Sequence, residues 1–575
     1  MRLPRIEAGE IERGPFATVV VGGSLLVVAL TAQVPWWLAV AVAVGLVTMV
    51  TVRVNGRTGA RWLLDGAEFR VGRSARAAAR VESAVVRDVE VAAGVCGIRT
   101  GSTTLVAMIQ LAPNLDLPTV IAEKSVYTED TIPLGALLPL LDHYGIAVDI
   151  DIVTTGQRVR PTGSYSMLYD QLVGPHPVVG HRLTWLVVRL NQERNLRALR
   201  RRGPCAVVAP KALATAAHRI AGRLRERGIA AHALPAASLI EANRILHAGV
   251  ELSDLREKWS HLESSVPGRY VTSFQVDWSR VDSAGLDDCW AWHRGRTTLV
   301  VSLTGPTAEP RAIARYIGPE VTTEPPAYLR LLTGKQSDAL LATLPSGSPV
   351  RELPFVRPQP VGSQAGLFAE LTVAIGPNGQ ILGSISGQPR HTLALPLFDP
   401  ARYNPRRRTI DVHAMLPVAQ QIVLRAMVVG ADVEVHSTRP QRWWQLVSAV
   451  GDEASLRLAP DSQQEHPAAG ADIEQTAATI AVFDNLPPRA SPAQTTVTIT
   501  DPGSPRRRSV DLMIDQVGAS TVDVSIPMRT VRVDLIEPWG ETRYYDATEQ
   551  APTSVATHNS AAPPPGLPPG GRRVS

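Results

Sequence analysis

The sequence predicts an α/β fold class: an N-terminal two-helix transmembrane hairpin followed by a two-lobed cytoplasmic α/β body. Three observations predict it. The stretch from Gly14 to Val52 contains no charged residue, strand-length apolar runs alternate with helical periodicities from about residue 146, and a second alternation follows a Pro- and Gly-rich break.

The hairpin comes first. One helix over Gly14 to Val52 would be about 58 Å long, roughly twice the ~30 Å hydrocarbon core of a bilayer. Two helices, over about residues 16–32 and 36–52, each reach about 25 Å and suffice with their aromatic and small polar flanks. Gln33, Val34 and Pro35 supply the turn, because Pro35 lacks an N–H and disfavours helical geometry at Val34. Trp36 and Trp37 suit the headgroup level. Arg2, Arg5 and Arg13 precede the pair, Arg53, Arg57 and Arg61 follow it, and the turn has no Lys or Arg. The positive-inside rule therefore expects residues 1–55 to anchor the chain in the inner cell membrane, with both termini and the bulk cytoplasmic. A cleaved signal peptide fits less well, since a second apolar stretch follows at once and ALTAQ is a poor A-x-A site.

The 575 residues leave length for two or three domains with real cores. Cys96, Cys205 and Cys289 are far from one another and from any His cluster, which suits reduced thiols rather than disulfides or a metal site. The net charge is +5, with Arg far exceeding Lys. Such usage is no argument for nucleic acid by itself, and a basic surface near anionic lipid accounts for it equally well.

Along the body, RTGARWLLDGAEFRV at residues 57–71 reads as a junction placing Trp62 and Leu63 just below the membrane. GVCGIRTGSTTLVAMIQL, residues 94–111, reads as a β-hairpin around Thr100 and Gly101. A helix-like segment from Leu134 to His143 ends at Gly145 and precedes a β run at 146–153. Next come HRLTWLVVRLN as a strand, NLRALRRRG as a short helix, PCAVVA as a strand, residues 210–228 as an amphipathic helix, IAAHAL as a strand and residues 238–249 as a helix. YVTSFQVDW and RTTLVVSL close this first domain, residues 56–305. Residues 306–363 have little periodicity apart from QSDALLATL and read as an insert or linker. A second α/β unit over 364–546 has strands at ELTVAI and HTLALPL, the helix LPVAQQIVLRAMVVGA, the strand DVEVH and four further β runs, TIAVFD, TTVTIT, VDLMID and RTVRVDLI. Residues 547–575 are Pro-rich, without apolar periodicity, and read as a disordered tail.

The order of segments carries a resemblance. A short N-terminal stretch and double apolar run lead into RWL-x-x-G-x-x-F. TWLVVRL, ALATAAHRIAGRLRERGI, YVTSFQVDWSRVDSAGLDDCWAW and RTTLVVSL follow, and then LPLFDP and LPVAQQIVLRAMVVGADVEVHSTRPQRWWQLV. In this order the chain resembles the EccE family, membrane components of actinobacterial type VII (ESX) secretion systems, up to about residue 546. The insert and the tail depart from the family pattern. The resemblance implies a non-catalytic scaffold in a membrane complex with EccB, the ATPase EccC and EccD, and a body like a degenerate glycosyltransferase. We expect Arg53, Arg57, Arg61, Trp62, Leu63 and Phe69 to form the surface that docks on a neighbouring subunit, EccD.

An enzymatic alternative rests on Asp149-Ile150-Asp151, a D-x-D of the type that holds a divalent metal and a sugar-nucleotide diphosphate in membrane-tethered glycosyltransferases. A strand would put both carboxylates on one face, which equally describes one wet edge of a sheet. TGKQS, residues 333–337, has Leu329 where a P-loop needs Gly and Gln336 where it needs Ser or Thr. GSISG, residues 383–387, has Ile385 in the nucleophile's place. The sequence therefore leads us to expect no catalytic residue, cofactor or metal, and any energy source must be a partner. His176, His218 and His247 have no ligand spacing and read as structural. The Arg runs at 200–202, 406–408 and 506–508 lack aromatic interleaving, so nucleic acid is not expected, while an acidic partner, lipid headgroups or plain solvation are. Trp443 and Trp444 read mainly as core packing.

Overall fold

Two twelve-stranded sheets organise the chain in the computed structural model. Residues 85–545 are described almost continuously, with breaks at 282–284, 305–309, 346–370 apart from Leu353, 460–477 and a few single positions; between residues 6 and 70 only short pieces are described.

In the first sheet the spatial order runs Arg256–Glu257, Leu262–Glu263, Tyr270–Val276, Arg311–Gly318, Arg296–Leu303, Asp149–Gln157, His181–Asn191, Thr104–Leu111, Gly94–Thr100, Val85–Val91. Every pairing in it is antiparallel. Residues 182–190 are all buried because the sheet is covered on both faces, which turns an alternating pattern into a continuous one. Leu186, Val188 and Leu190 join one core with Leu213, Ala217 and Ile220 of the helix α3 defined below, whereas Trp185 and Val187 join another. The helices follow in chain order: α1 (Tyr165–Val173), α2 (Leu196–Arg200), α3 (Cys205–Glu226), α4 (Ala236–His247), α5 (Gln336–Ala342), α6 (Leu416–Val428) and α7 (Gln441–Val450). Leu239 and Leu246 of α4 and Leu340 of α5 complete the second of these cores.

The second sheet has six parallel strands, Leu456–Leu458, Val433–Ser437, Ile480–Asp484, Thr495–Thr500, Arg408–His413 and Leu512–Gln516, and continues antiparallel through Thr521–Ile526, Arg529–Leu535, Gln380–Ile385 and Gln388–Leu395. Its far edge comes from the first half of the chain: Thr119–Ile121 pairs with Gln388–Leu395, and Val126–Tyr127 pairs with Thr119–Ile121. Tyr165, Tyr169 and Val173 of α1 also sit in the core of the second sheet with Ile422 and Met427 of α6. The two halves of the chain are thus interleaved.

These findings correct several expectations. The body is mostly β, two large sheets with few helices, rather than an alternating α/β body. One source of the difference is PCAVVA, read as a strand, which is the first turn and a half of α3: Pro204 caps it with extended geometry (φ −60°, ψ 124°) and the helix continues through Pro210. Without that strand α2 and α3 follow one another directly, and the strands around them pair antiparallel rather than as parallel units. The helix expected over Leu134–His143 is instead two short 3-10 turns and a two-residue strand, broken by Pro139. Of the stretch read as an insert, Arg311–Gly318 is a strand inside the first sheet, buried over six consecutive residues, and Leu329–Leu331 and α5 belong to the same layer. Its sheet-internal Arg315 masks the apolar run.

The transmembrane hairpin is not supported. Among the described residues no helix is long and apolar enough to cross a membrane. Val52, expected at the end of the second span, lies in the strand Val52–Val54, paired antiparallel with Ile6–Ala8 and with Arg57–Thr58. Most of residues 16–52 lie outside the described residues, as does the tail 547–575. The charge-based orientation had only that hairpin to orient.

Candidate docking site at the junction

The segment after Arg57–Thr58 folds against the edge of the first sheet. Trp259 lies in the turn between Arg256–Glu257 and Leu262–Glu263, closed by the Lys258 N–H donating to the His261 carbonyl at 2.9 Å. Its ring meets Trp62 at 5.8 Å between centroids, tilted by 37°, and Phe69 edge-on at 5.3 Å and 87°. Aromatic pairs in these arrangements contribute about 0.5–1.5 kcal/mol beyond area burial. Behind the ring is Gly334, whose N–H donates to the Trp259 carbonyl at 2.7 Å. A Cβ on Gly334 would lie 2.5 Å from the indole, and its φ of +71° favours glycine independently.

Gly334 belongs to the TGKQS stretch, which is architectural. The Gln336 side chain accepts from the Ser273 N–H at 2.8 Å and donates to the Ser273 carbonyl at 3.1 Å, as a neighbouring strand would. The Ser337 N–H donates to the buried Glu257 carboxylate at 3.0 Å. These bonds fix the turn on which Trp259 is carried.

The structure therefore brings together Trp62 and Phe69, the latter 9% exposed, and leaves Leu63 64% exposed; Arg70 is exposed as well. Arg53 and Arg57 lie in the three-stranded sheet, with Arg53 opposite Glu7 on one side and Thr58 on the other, and Arg57 opposite Val54. Arg61 lies outside the described residues. Sequence reading missed Trp259 and Gly334. An isolated Trp in the polar run EKWSH was the available signal, and its partner lies almost two hundred positions away in the chain.

The D-x-D residues are held by arginines. Asp151, 1% exposed, is 2.8 Å from Arg189, itself 2% exposed, and Asp149 is 2.8 Å from Arg194. Arg189 also donates to the Leu344 carbonyl at 3.0 Å. Two carboxylates each engaged by a guanidinium form a structural network with little charge left for a cation. The other singled-out residues are structural as well. His247 shares a 3.3 Å contact with Asn243, His218 lies against Gly94, and burial is the first cause lowering the pKa of both and of His176. Burial, aided by Asp88, pushes the Cys96 thiol up to about 12. Arg406 and Arg408 both reach Asp116; Arg406 and Arg407 are exposed, whereas Arg408 is fully buried, donating to the Leu115 and Pro396 carbonyls. Arg506 and Arg508 lie outside the described residues. Trp443 is fully buried with its N–H on Asp484 at 2.8 Å, while Trp444 is 64% exposed.

With this geometry in hand, comparison with known proteins is informative. Residues 178–276 match a family model described as "Putative type VII ESX secretion system translocon, EccE". Over that stretch the chain resembles EccE, and the relatives it matches carry the same name. It is 25% identical over 462 residues to the ESX-2 secretion system protein EccE2 of Mycobacterium tuberculosis, covering 78% of this chain and 82% of that protein. Identity to the ESX-1 secretion system protein EccE1 of Mycolicibacterium smegmatis is 28%, over 45% of this chain and 53% of the relative. The ESX-5 secretion system protein EccE5 of Mycobacterium marinum is 31% identical, over 43% of this chain and 62% of its own length. The EccE match spans the strand His181–Asn191, helices α2 to α4 and the strand Tyr270–Val276, so it includes Trp259 but not the junction that packs on it.

Proposed function

We propose that this chain is an EccE-family protein, a non-catalytic scaffold subunit of a type VII (ESX) protein secretion complex, associated with the cell membrane through that complex. The observation that supports it most is the similarity to EccE1, EccE2 and EccE5 proteins, extending over 78% of the chain in one case. The ion pairs at Asp149 and Asp151 favour a scaffold over sugar-nucleotide chemistry, because both carboxylates are already engaged. Energy for transport then comes from a partner, the ATPase EccC, with EccB and EccD as further neighbours.

The junction is the docking surface in this reading. Trp62 and Phe69 pack on Trp259 and so fix the segment, and Leu63 with Arg53, Arg57, Arg61 and Arg70 meets the neighbouring subunit, EccD. Mild-detergent extraction of tagged protein, followed by sizing and identification of what co-purifies, tests both levels. A large particle holding a multi-domain ATPase supports the scaffold, and a free monomer overturns it. Leu63→Glu should release the subunit while leaving its unfolding midpoint unchanged, and full retention would rule out this docking surface.

A further inference from the structure

A second surface, on α3 beside the first sheet, is built for a different kind of contact. A groove of about 320 Å³ runs between α3 and the turn joining Asp142–His143 to Ile146–Ala147. Its floor is apolar, formed by Ile146, Val208, Ala212 and Ala216, and its rim carries Arg202, Lys211 and Arg219. Among the described residues no carboxylate lines it. Lys211, Thr215, Arg219 and Arg223 stand four residues apart along α3, so they form one stripe on the helix surface.

The wall opposite α3 is Tyr144, 80% exposed, and the turn holds it there. Tyr144 has φ +55° and Gly145 φ +77°, the pair of left-handed conformations of a tight hairpin turn. The Asp142 side chain accepts from the Gly145 N–H at 2.9 Å. Arg202 donates to the Tyr144 carbonyl at 2.7 Å, and the Arg219 guanidinium lies 4.5 Å from the centre of the Tyr144 ring. A non-glycine residue with positive φ, a large exposed ring and two converging arginines is costly to maintain as plain surface.

We infer that this groove binds an acidic peptide segment of a protein partner, with an apolar side chain on the floor and carboxylates against Arg202, Lys211 and Arg219. Charge complementarity selects an anion, and the apolar floor selects one that carries a hydrophobic side chain. A bilayer is flat on this scale and cannot enter a concave groove. A nucleic acid strand would need open aromatic faces for its bases, and Arg219 already covers one face of the ring present. The inference stands on these residues alone and does not depend on the ESX reading.

The test uses the full chain and a fluorescein-labelled peptide Glu-Glu-Leu-Glu-Glu, followed by anisotropy. Binding should exceed that of Gln-Gln-Leu-Gln-Gln by about tenfold or more and weaken as salt rises from about 0.05 M to about 0.3 M. Lys211→Glu combined with Thr215→Glu changes two exposed positions, so the fold is kept, and should weaken binding by about tenfold or more. Arg219→Gln gives a second, independent loss. No binding by the unchanged protein, or equal binding by the variants, overturns the inference. Capture of phosphatidylglycerol vesicles or of an oligothymidylate in place of the peptide, abolished by the same variants, also overturns it and assigns the groove to lipid or nucleic acid.

Discussion

Arg425 and Glu541 form an ion pair at 2.8 Å, with side chains 1% and 0% exposed, between the last turn of α6 and a turn near residue 541. Neither is alone. Glu541 also accepts from Gln421 at 2.8 Å and from the Tyr165 hydroxyl at 2.5 Å, and Arg425 donates to the Ile381 and Leu382 carbonyls at 3.0 and 3.1 Å. The pair thus ties α6, α1, the strand Gln380–Ile385 and the segment after Arg529–Leu535 into one cluster, with Tyr544 edge-on to Tyr165. It is one of the points where the first half of the chain is fastened to the second.

Breaking that pair from one side leaves a buried charge without its partner. Glu541→Ala should destabilise the protein by about 3–5 kcal/mol, read as a lower urea midpoint. Arg425→Met combined with Glu541→Leu should cost clearly less, because no charge is stranded. Equal losses in the single and double variants would show that packing, not charge, holds the cluster.

The two aspartates of the D-x-D should behave differently. Asp151→Asn breaks a fully buried pair and should cost about 3 kcal/mol or more. Asp149 is buried too, but its partner Arg194 is 39% exposed, so Asp149→Asn should cost less than Asp151→Asn. A titration with Mn²⁺ and a uridine diphosphate sugar should give no saturable heat with the unchanged protein. Saturable binding that Asp149→Asn abolishes would reverse the scaffold reading.

Many strands were legible in the sequence, and the architecture was not. HRLTWLVVRLN, TIAVFD and TTVTIT are strands because β-branched and apolar residues run through them, a local property. Which strands pair is not local. Thr119–Ile121 crosses to the second sheet, and nothing within three residues announces it. Arg311–Gly318 was hidden by Arg315, fully buried inside the first sheet, where it donates to Thr343 at 2.7 Å. Burial depresses the Arg315 pKa to about 9, a cost that a pattern of apolar letters does not register. At the junction, Trp62, Leu63 and Phe69 were selected by type alone. Only the structure separates the two that pack on Trp259 from the one left exposed.

Asp130 should make stability fall as pH rises. Its Oδ2 accepts from the Asn114 N–H at 3.3 Å and the Gly376 N–H at 3.1 Å, where the strand Thr131–Pro133 pairs with Thr372–Ala374. Burial raises its pKa from 3.8 to about 6 despite those two bonds and the nearby Arg182. Between those values the folded state binds more protons than the unfolded one, so the stabilising contribution is complete below about pH 4 and is lost as pH passes 6. Its size is at most about 3 kcal/mol. Asp130→Asn keeps an acceptor oxygen and does not titrate, so urea midpoints at pH 4.5 and 7 should differ less in the variant than in the unchanged protein. An identical pH dependence in both would show that other buried carboxylates carry it.

Gly334→Ala tests the platform beneath the junction. The new methyl group would start 2.5 Å from the Trp259 ring on a backbone with φ +71°, so both the indole and the turn must shift. Overpacking of this kind costs about 1–3 kcal/mol, and forcing a left-handed backbone on alanine adds to it. Because Trp259 carries Trp62 and Phe69, its displacement should loosen the junction as well as lower the unfolding midpoint. Limited proteolysis between residues 57 and 70 reads the first effect, and thermal unfolding reads the second. Faster cleavage there at a temperature where the rest of the chain stays folded is the expected outcome. A lower midpoint with unchanged cleavage would mean that the junction keeps its place without Trp259.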